Sequence, residues 1–284
     1  MLINFEMDYI FLFLRKIDKM RKSVLIKSLC VFCVALLMSC SNDDGGKDTT
    51  SNEKSVLIKK ITETVYYSGE SDTSIMDFIY ENEVLKSVTT NTRYRSEFEY
   101  IGNKINKVNY FRDDTASGFT TFYYNGDLLN YTLSGINQDE KTEYFYVNGI
   151  LTTEKSGYFD EGKYIIFQEL SYTFDPSKNI TELRNKSSMY GSETISKSKY
   201  FYDNKNNPMK FMNKYYRLVF DLEGFDGRTV NNVTSREYYY PVTNEVPGYS
   251  NFEIVYNNDN FPIEIKKISK ESNNVISKTV IEYQ

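Results

Sequence analysis

Tyr144-Phe145-Tyr146-Val147-Asn148-Gly149-Ile150 sets three rings in a row, breaks at an Asn-Gly pair, and resumes with an aliphatic residue. Rings two positions apart share one face of an extended strand, because side chains alternate faces with a period of two. Asn-Gly supplies the positive φ angles that tight hairpin turns require. The stretch therefore predicts strand, turn, strand. The same order recurs upstream, in Phe78-Ile79-Tyr80 before Glu81-Asn82-Glu83, Phe98-Glu99-Tyr100 before Ile101-Gly102-Asn103, and Phe122-Tyr123-Tyr124 before Asn125-Gly126-Asp127. Downstream it returns in Tyr172-Thr173-Phe174 before Asp175, Tyr200-Phe201-Tyr202 before Asp203-Asn204, and Phe252 with Tyr256 before Asn257-Asn258. Ile281-Glu282-Tyr283 reads as a closing half-unit.

The anchors Tyr80, Tyr100, Tyr124 and Tyr146 lie 20, 24 and 22 residues apart, room for two strands and two turns each. Phe174, Tyr202 and Tyr256 are more widely spaced, so longer loops enter there. A helical repeat of this period would place apolar residues at i, i+3, i+4 and i+7, which these segments do not. The fold class expected is all-β, an antiparallel meander of repeated β-hairpins with ~18–20 strands. Accumulated twist curls a sheet of that size, so the expectation is a strongly coiled sheet, open or partly closed, with Phe and Tyr on its concave side. Residues 55–284 read as a single domain, with no linker-like interruption.

Tyr124-Asn125-Gly126-Asp127-Leu128, Tyr202-Asp203-Asn204 and Tyr256-Asn257-Asn258 resemble the units of the YD-repeat proteins of the Rhs type, in which a Tyr-Asp or Tyr-Asn turn precedes Gly and Leu. The resemblance covers most of 75–284 and extends equally to Bacteroidetes lipoproteins of unknown function built from such repeats.

Working back toward the N-terminus, Gly45 to Lys54 carries no apolar residue and reads as a flexible tether. Before it stand Arg21, Lys22 and Lys27, an apolar run from Leu29 to Met38, and Ser39-Cys40. A basic segment, a short apolar core and small residues at a cut site make a secretory signal. A membrane-spanning helix needs ~20 consecutive apolar residues, and Lys27 leaves only 29–38 uninterrupted. The cysteine at the cut site resembles the lipobox of bacterial lipoproteins, which implies acylation of Cys40. Ser41, Asn42, Asp43 and Asp44 resemble the surface-export signal of Bacteroidetes lipoproteins. Residues 1–39 are thus expected to be removed, with Met20 the better start, and 40–54 to hold the folded body off the bilayer. The expected location is the outer membrane, lipid-anchored, facing the cell surface or the periplasm.

Cys30 and Cys33 fall inside the leader, so the mature chain has no thiol besides Cys40, and the whole chain has no histidine. That removes disulfides, imidazole or thiolate metal ligands, and Ser-His-Asp or Cys-His catalysis. No cofactor and no metal are expected. The leader holds six basic and three acidic residues, leaving 28 against 36 and a mature net charge of −8. An acidic chain without a Lys/Arg stripe argues against nucleic acid as a partner.

The candidate sites are few. Tyr238-Tyr239-Tyr240-Pro241 is the densest aromatic cluster, in which Tyr239 faces outward as a weak ligand-stacking candidate while Tyr238 and Tyr240 belong to the core. Asp221-Leu222-Glu223-Gly224-Phe225-Asp226-Gly227 has three carboxylates around glycines but lacks the spacing of a calcium loop, and reads as a turn after a Leu218-Val219-Phe220 strand. Asp113-Asp114 and Asp160-Glu161 read as turn residues too. The function expected is a non-catalytic binding or structural module of the envelope, with a glycan, peptide or protein as ligand. A carboxylate-based hydrolase of polysaccharide, or a periplasmic carrier of an apolar ligand, are the alternatives.

Overall fold

A computed structural model describes residues 55–67, 69–188, 192–218, 221–222, 225–240 and 248–284. The leader, Cys40, the export signal and the tether lie outside the described residues. The strands run β1 Ile58–Tyr66, β2 Ser71–Glu81, β3 Val84–Thr90, β4 Tyr94–Ile101, β5 Lys104–Arg112 and β6 Thr115–Asn125. They continue with β7 Leu128–Gly135, β8 Glu140–Val147, β9 Ile150–Asp160, β10 Lys163–Phe174, β11 Ile180–Ser187 and β12 Thr194–Tyr202. A 3-10 turn at Tyr216–Leu218 and the two-residue strands β13 Asp221–Leu222 and β14 Phe225–Asp226 follow. The chain closes with β15 Val233–Tyr239, β16 Gly248–Tyr256, β17 Pro262–Ser269 and β18 Val275–Tyr283.

Sixteen of these strands form one antiparallel barrel in chain order, and it is closed: β1 pairs with β18 through Ile61 opposite Ile281. The expected all-β meander is present, but the expected open or partly closed sheet is not. Twist predicts curling and leaves the meeting of the two edges undetermined. What the sequence spacing does not display is that Ile61 and Ile281, both fully buried, complete each other's inward face.

Each anchor carries the same local construction. At the hairpins β2/β3, β4/β5, β6/β7, β8/β9, β10/β11, β12/β15 and β16/β17 the register shifts at the anchor itself, for example between Glu99 and Tyr100, or Phe145 and Tyr146. One residue on the return strand is left over as a β-bulge. Where that residue is threonine, its hydroxyl donates to the carbonyl across the hairpin: Thr152 to Phe145 at 3.3 Å, Thr181 to Thr173 at 3.2 Å, Thr234 to Phe201 at 3.2 Å. The anchor phenols reach back to the preceding hairpin, Tyr100 donating to Leu85 O (2.7 Å), Tyr202 to Ile180 O (2.8 Å) and Tyr283 to Pro262 O (2.7 Å). Each such bond contributes about 1 kcal/mol, and together they stitch neighbouring hairpins at one mouth of the barrel. Burial holds the Tyr202 and Tyr283 phenols well above their ordinary pKa.

The turns follow the expected chemistry with one correction. Asn148 and Gly149 are the two loop residues of β8/β9, both at positive φ (50° and 77°). In β6/β7, Asn125 instead pairs with Leu128, so the loop is Gly126-Asp127 and Gly126 (φ 60°) is its first position. Gly149→Val and Gly126→Val are each expected to lower stability by about 1–3 kcal/mol, while Gly149→Asn, which tolerates positive φ, loses much less. Melting curves of the three variants beside Gly46→Val, in the segment expected to be a tether, test this. Equal melting temperatures for the valine variants at 46, 126 and 149 would contradict the turn assignment.

A sixteen-strand barrel is wide enough to hold an aqueous channel unless something fills it. Near the stitched mouth this one is filled by its own rings and by the connection from β12 to β15, residues 203–232. That connection, called the cap here, buries Met209, Met212, Tyr215 and Tyr216. It reaches across the mouth: the Tyr216 ring stands edge-on to Phe78 (6.4 Å) and Phe98 (5.4 Å), Tyr215 stands edge-on to Tyr124 (5.6 Å), and Asn213 Nδ2 donates to Asn103 O (3.1 Å). Deeper along the barrel the inward face changes to small hydroxyls. Tyr110, Thr120 and Ser134 form a chain at 3.1 and 2.9 Å, and Thr142 meets Ser156 at 3.0 Å. Buried hydroxyls require such partners.

Candidate functional site: a buried ionic cluster under the cap

The bulges decide what the interior contains. After each anchor turn the first inward residue is followed by the next at i+3 instead of i+2, as in Leu85/Val88, Ile105/Val108 and Leu129/Thr132, all buried. In β9 this spacing turns Glu154 inward after Leu151, and Glu154 is 3% exposed. An ionised carboxylate in such a place requires a charged partner and full hydrogen bonding.

The cap supplies both. Arg228 Nη1 donates to Glu154 Oε1 at 2.9 Å and to the Tyr172 hydroxyl at 2.7 Å, while that hydroxyl itself donates to Glu154 Oε1 at 2.9 Å. The guanidinium also lies 5.0 Å from the centre of the Tyr172 ring. On its other side Arg228 Nε donates to both carboxylate oxygens of Asp226, at 2.9 and 3.0 Å. One guanidinium thus serves two carboxylates, one from the barrel wall and one from the cap. Desolvation raises the Glu154 carboxyl above its ordinary pKa, with Arg228 and the Tyr172 hydrogen bond opposing that rise. The Tyr172 phenol is raised strongly by the same burial.

Around this cluster the cap is held by a second polar layer. Arg217 donates from Nε to Gly227 O at 2.7 Å and from Nη2 to Thr229 O at 2.9 Å. Gly227 is required by closeness: a Cβ there would lie 2.0 Å from Arg217 O. Asn179 Oδ1 accepts the backbone N–H groups of Val230 and Asn231, at 3.1 and 2.9 Å. Asp203 accepts from Asn232 N (3.1 Å) and from the Tyr256 hydroxyl.

The residues singled out from sequence lie elsewhere. Tyr239 sits on β15, its hydroxyl donating to Glu237 Oε2 at 2.8 Å, with Lys197 and Lys199 Nζ at 4.8 and 5.6 Å from its ring centre. Cations occupy the ring that a ligand would stack upon. Tyr238 and Tyr240 are parallel neighbours 6.4 Å apart, but Tyr240 is 47% exposed, contrary to the core position expected for it. The strand ends at Tyr239, so the inward face is no longer covered there. Asp221–Leu222 and Phe225–Asp226 pair as two short antiparallel strands, Asp221 opposite Asp226 and Leu222 opposite Phe225, and Asp226 spends its carboxylate on Arg228. The strand expected at 218–220 is instead the end of a 3-10 turn at Leu218, with 219–220 outside the described residues. Asp113-Asp114 and Glu161-Gly162 are hairpin loops, Arg93 bonding Asp113 at 3.0 Å. Glu154, Tyr172, Asp226 and Arg228 carry the cluster; the sequence marked Tyr172 only as a repeat ring and Asp226 only as a turn carboxylate, and Glu154 and Arg228 not at all. The i+3 spacing Leu151/Glu154 is the one signal that could have exposed an inward acid.

No family model and no curated protein matches this chain. Among solved structures, a porin-like protein from Bacteroides vulgatus superposes with a TM-score of 0.51 at 14% identity, over 81% of this chain and 99% of that one. A porin-like protein from Bacteroides uniformis gives 0.50 at 12% identity, over 80% and 96%. At these identities the likeness is one of fold.

Proposed function

We propose that this chain is a non-catalytic envelope lipoprotein: a water-standing barrel, acylated at Cys40, that serves the outer membrane as a binding or structural module. The observation that carries the reading is the outward face. A barrel that crosses a bilayer presents an apolar band about 25 Å tall to the lipid. Here the middle of the wall carries ion pairs instead, with Arg95 beside Glu97, Lys141 with Glu143 at 2.5 Å, Lys155 with Glu169 at 3.0 Å, and Glu264 with Lys278 at 2.7 Å. At that level the buried apolar residues, such as Phe98 and Ile265, point inward. The pattern favours a barrel that stands in water and is held to the membrane by a lipid on Cys40.

Two features favour this over the alternatives. Glu154 and Asp226 share a single guanidinium, so neither is free as the paired acid and base that a carboxylate hydrolase needs. The apolar interior at the stitched mouth is occupied by the chain's own rings and cap, which favours a filled scaffold over a carrier. Asn42-Asp43-Asp44 supports display at the cell surface.

Cys40→Ser is expected to move the protein from the membrane to the soluble fraction, or to leave it unprocessed, and to abolish labelling by an alkyne fatty acid. A wild-type protein that takes up no label, or that opens conductance steps in a planar bilayer, would overturn the reading.

A further inference from the structure

The register that places the anchor tyrosines inward places the residue before each of them outward, at the capped mouth. In β2, β6, β8, β12 and β16 that residue is Ile79, Tyr123, Phe145, Phe201 and Val255, all exposed. In β4, β10 and β18 it is Glu99, Thr173 and Glu282. The hairpin tips add Ile101 and Val147, which are 68% and 59% exposed. Singly, exposed apolar residues need no explanation. These recur at one level around the circumference, below a wall of ion pairs, and so form a girdle at one end. The other mouth has exposed apolar residues as well, among them Tyr66, Ile136, Tyr158, Phe159, Tyr249 and Val275, so what sets the girdled mouth apart is where the chain enters.

The chain enters at the girdled end. Ser55 Oγ donates to Glu83 Oε2 in the β2/β3 turn at 3.0 Å, and Gln284 N donates to Leu57 O at 3.0 Å beside the anchor Tyr283. Fourteen residues lie between Cys40 and Ser55, a reach of at most ~50 Å when extended. The segment that leads back to Cys40 thus joins the described barrel at the mouth that carries the girdle.

We propose that the capped mouth rests on the bilayer that holds Cys40, with its girdle in the headgroup region and the opposite mouth pointing away. The inference rests on the lipidation reading and adds an orientation to it. Interfacial seating of this kind draws on exposed aliphatic and aromatic side chains at one level, and the covalent anchor holds them there at high effective concentration.

The mature chain has no cysteine beyond Cys40, so an introduced thiol is the single labelling site on the acylated protein. Ile101→Cys and Val147→Cys at the girdle, and Lys163→Cys at the far tip, would carry an environment-sensitive fluorophore on the full lipoprotein in phosphatidylethanolamine vesicles. The acyl mass on Cys40 is measured on the same samples. Blue-shifted emission at 101 and 147, quenched by shallow doxyl lipids, with water-like emission at 163, is expected. Water-like emission at all three sites on protein with the acyl mass present overturns the orientation and leaves the anchor standing. Absence of the acyl mass overturns the anchor reading and this inference with it. Blue-shifted girdle labels in detergent-free buffer without vesicles would assign the girdle to a second copy of the chain and overturn the membrane seating.

Discussion

Arg228→Ala is expected to cost about 3–5 kcal/mol, the loss that follows when one partner is removed from a buried ion pair. Two carboxylates then remain, Glu154 and Asp226, with the first almost wholly buried. Urea unfolding followed by tyrosine fluorescence gives the magnitude, and hydrogen exchange over 207–232 gives the place, since the cap loses its tie to the wall. The pH dependence has a definite sign. Burial raises the native Glu154 carboxyl, so its contribution to stability is full below the ordinary carboxylate pKa and is lost as pH rises through the raised native value. Without Arg228 the value rises further, and the deficit of the variant shrinks as Glu154 becomes neutral toward acid pH. Glu154→Gln, which keeps the acceptor for Tyr172 and sheds the charge, is expected to fall far short of Arg228→Ala in damage. A deficit for Arg228→Ala that is constant from pH 7 to pH 4 would refute the account of a charge stranded in the wall.

Tyr216→Ala should be comparably severe, about 3–5 kcal/mol for truncating a large buried ring. The ring packs edge-on against Phe78 and Phe98 from the far side of the mouth, so its removal opens a void where the cap meets β2 and β4. Tyr216→Leu restores part of the volume and is expected to recover more than half of the loss. The two lesions act on one element. If either alone undocks the cap, the double variant Arg228→Ala/Tyr216→Ala costs little more than the worse single one, and additivity fails as it does for residues that share a structural unit. Strict additivity in denaturant unfolding would show instead that the cap ends are held independently.

How much of this was legible in the chain depends on the range over which the signal acts. The hairpins were readable because a turn is decided by adjacent residues, as at Asn148-Gly149. Even there the register at Asn125-Gly126 slipped by one, since Asn-Gly fits either the strand end plus first loop position or the full loop. Closure was not readable, because Ile61 meets Ile281 across nearly the whole chain and no local pattern encodes that pairing. The ionic cluster was hidden by the bulges: simple alternation from Leu151 carries Thr153 inward and Glu154 outward, and the extra residue reverses them. Arg228 lies on an irregular connection, where no periodicity exists to say which side chain points into the barrel. Tyr239 drew notice by ring density alone, and its surroundings of Lys197, Lys199 and Glu237 come from neighbouring strands and from its own alternate register.

The joining of the first strand to the last has a consequence for how the protein is made. Hairpins from β2 onward find their partners within a few dozen residues and assemble as they emerge. β1 finds half of its partners, through β2, at once, but its other edge stays bare until the final residues arrive. A naked strand edge invites foreign pairing, and contacts this distant in sequence are slow to form. On the secretion reading proposed above, a chain threaded through a pore from its N-terminus carries this edge bare for the entire passage. Protection of β1 during transit, by a chaperone or by the nearness of the bilayer, becomes a requirement of biogenesis that the finished ring no longer displays.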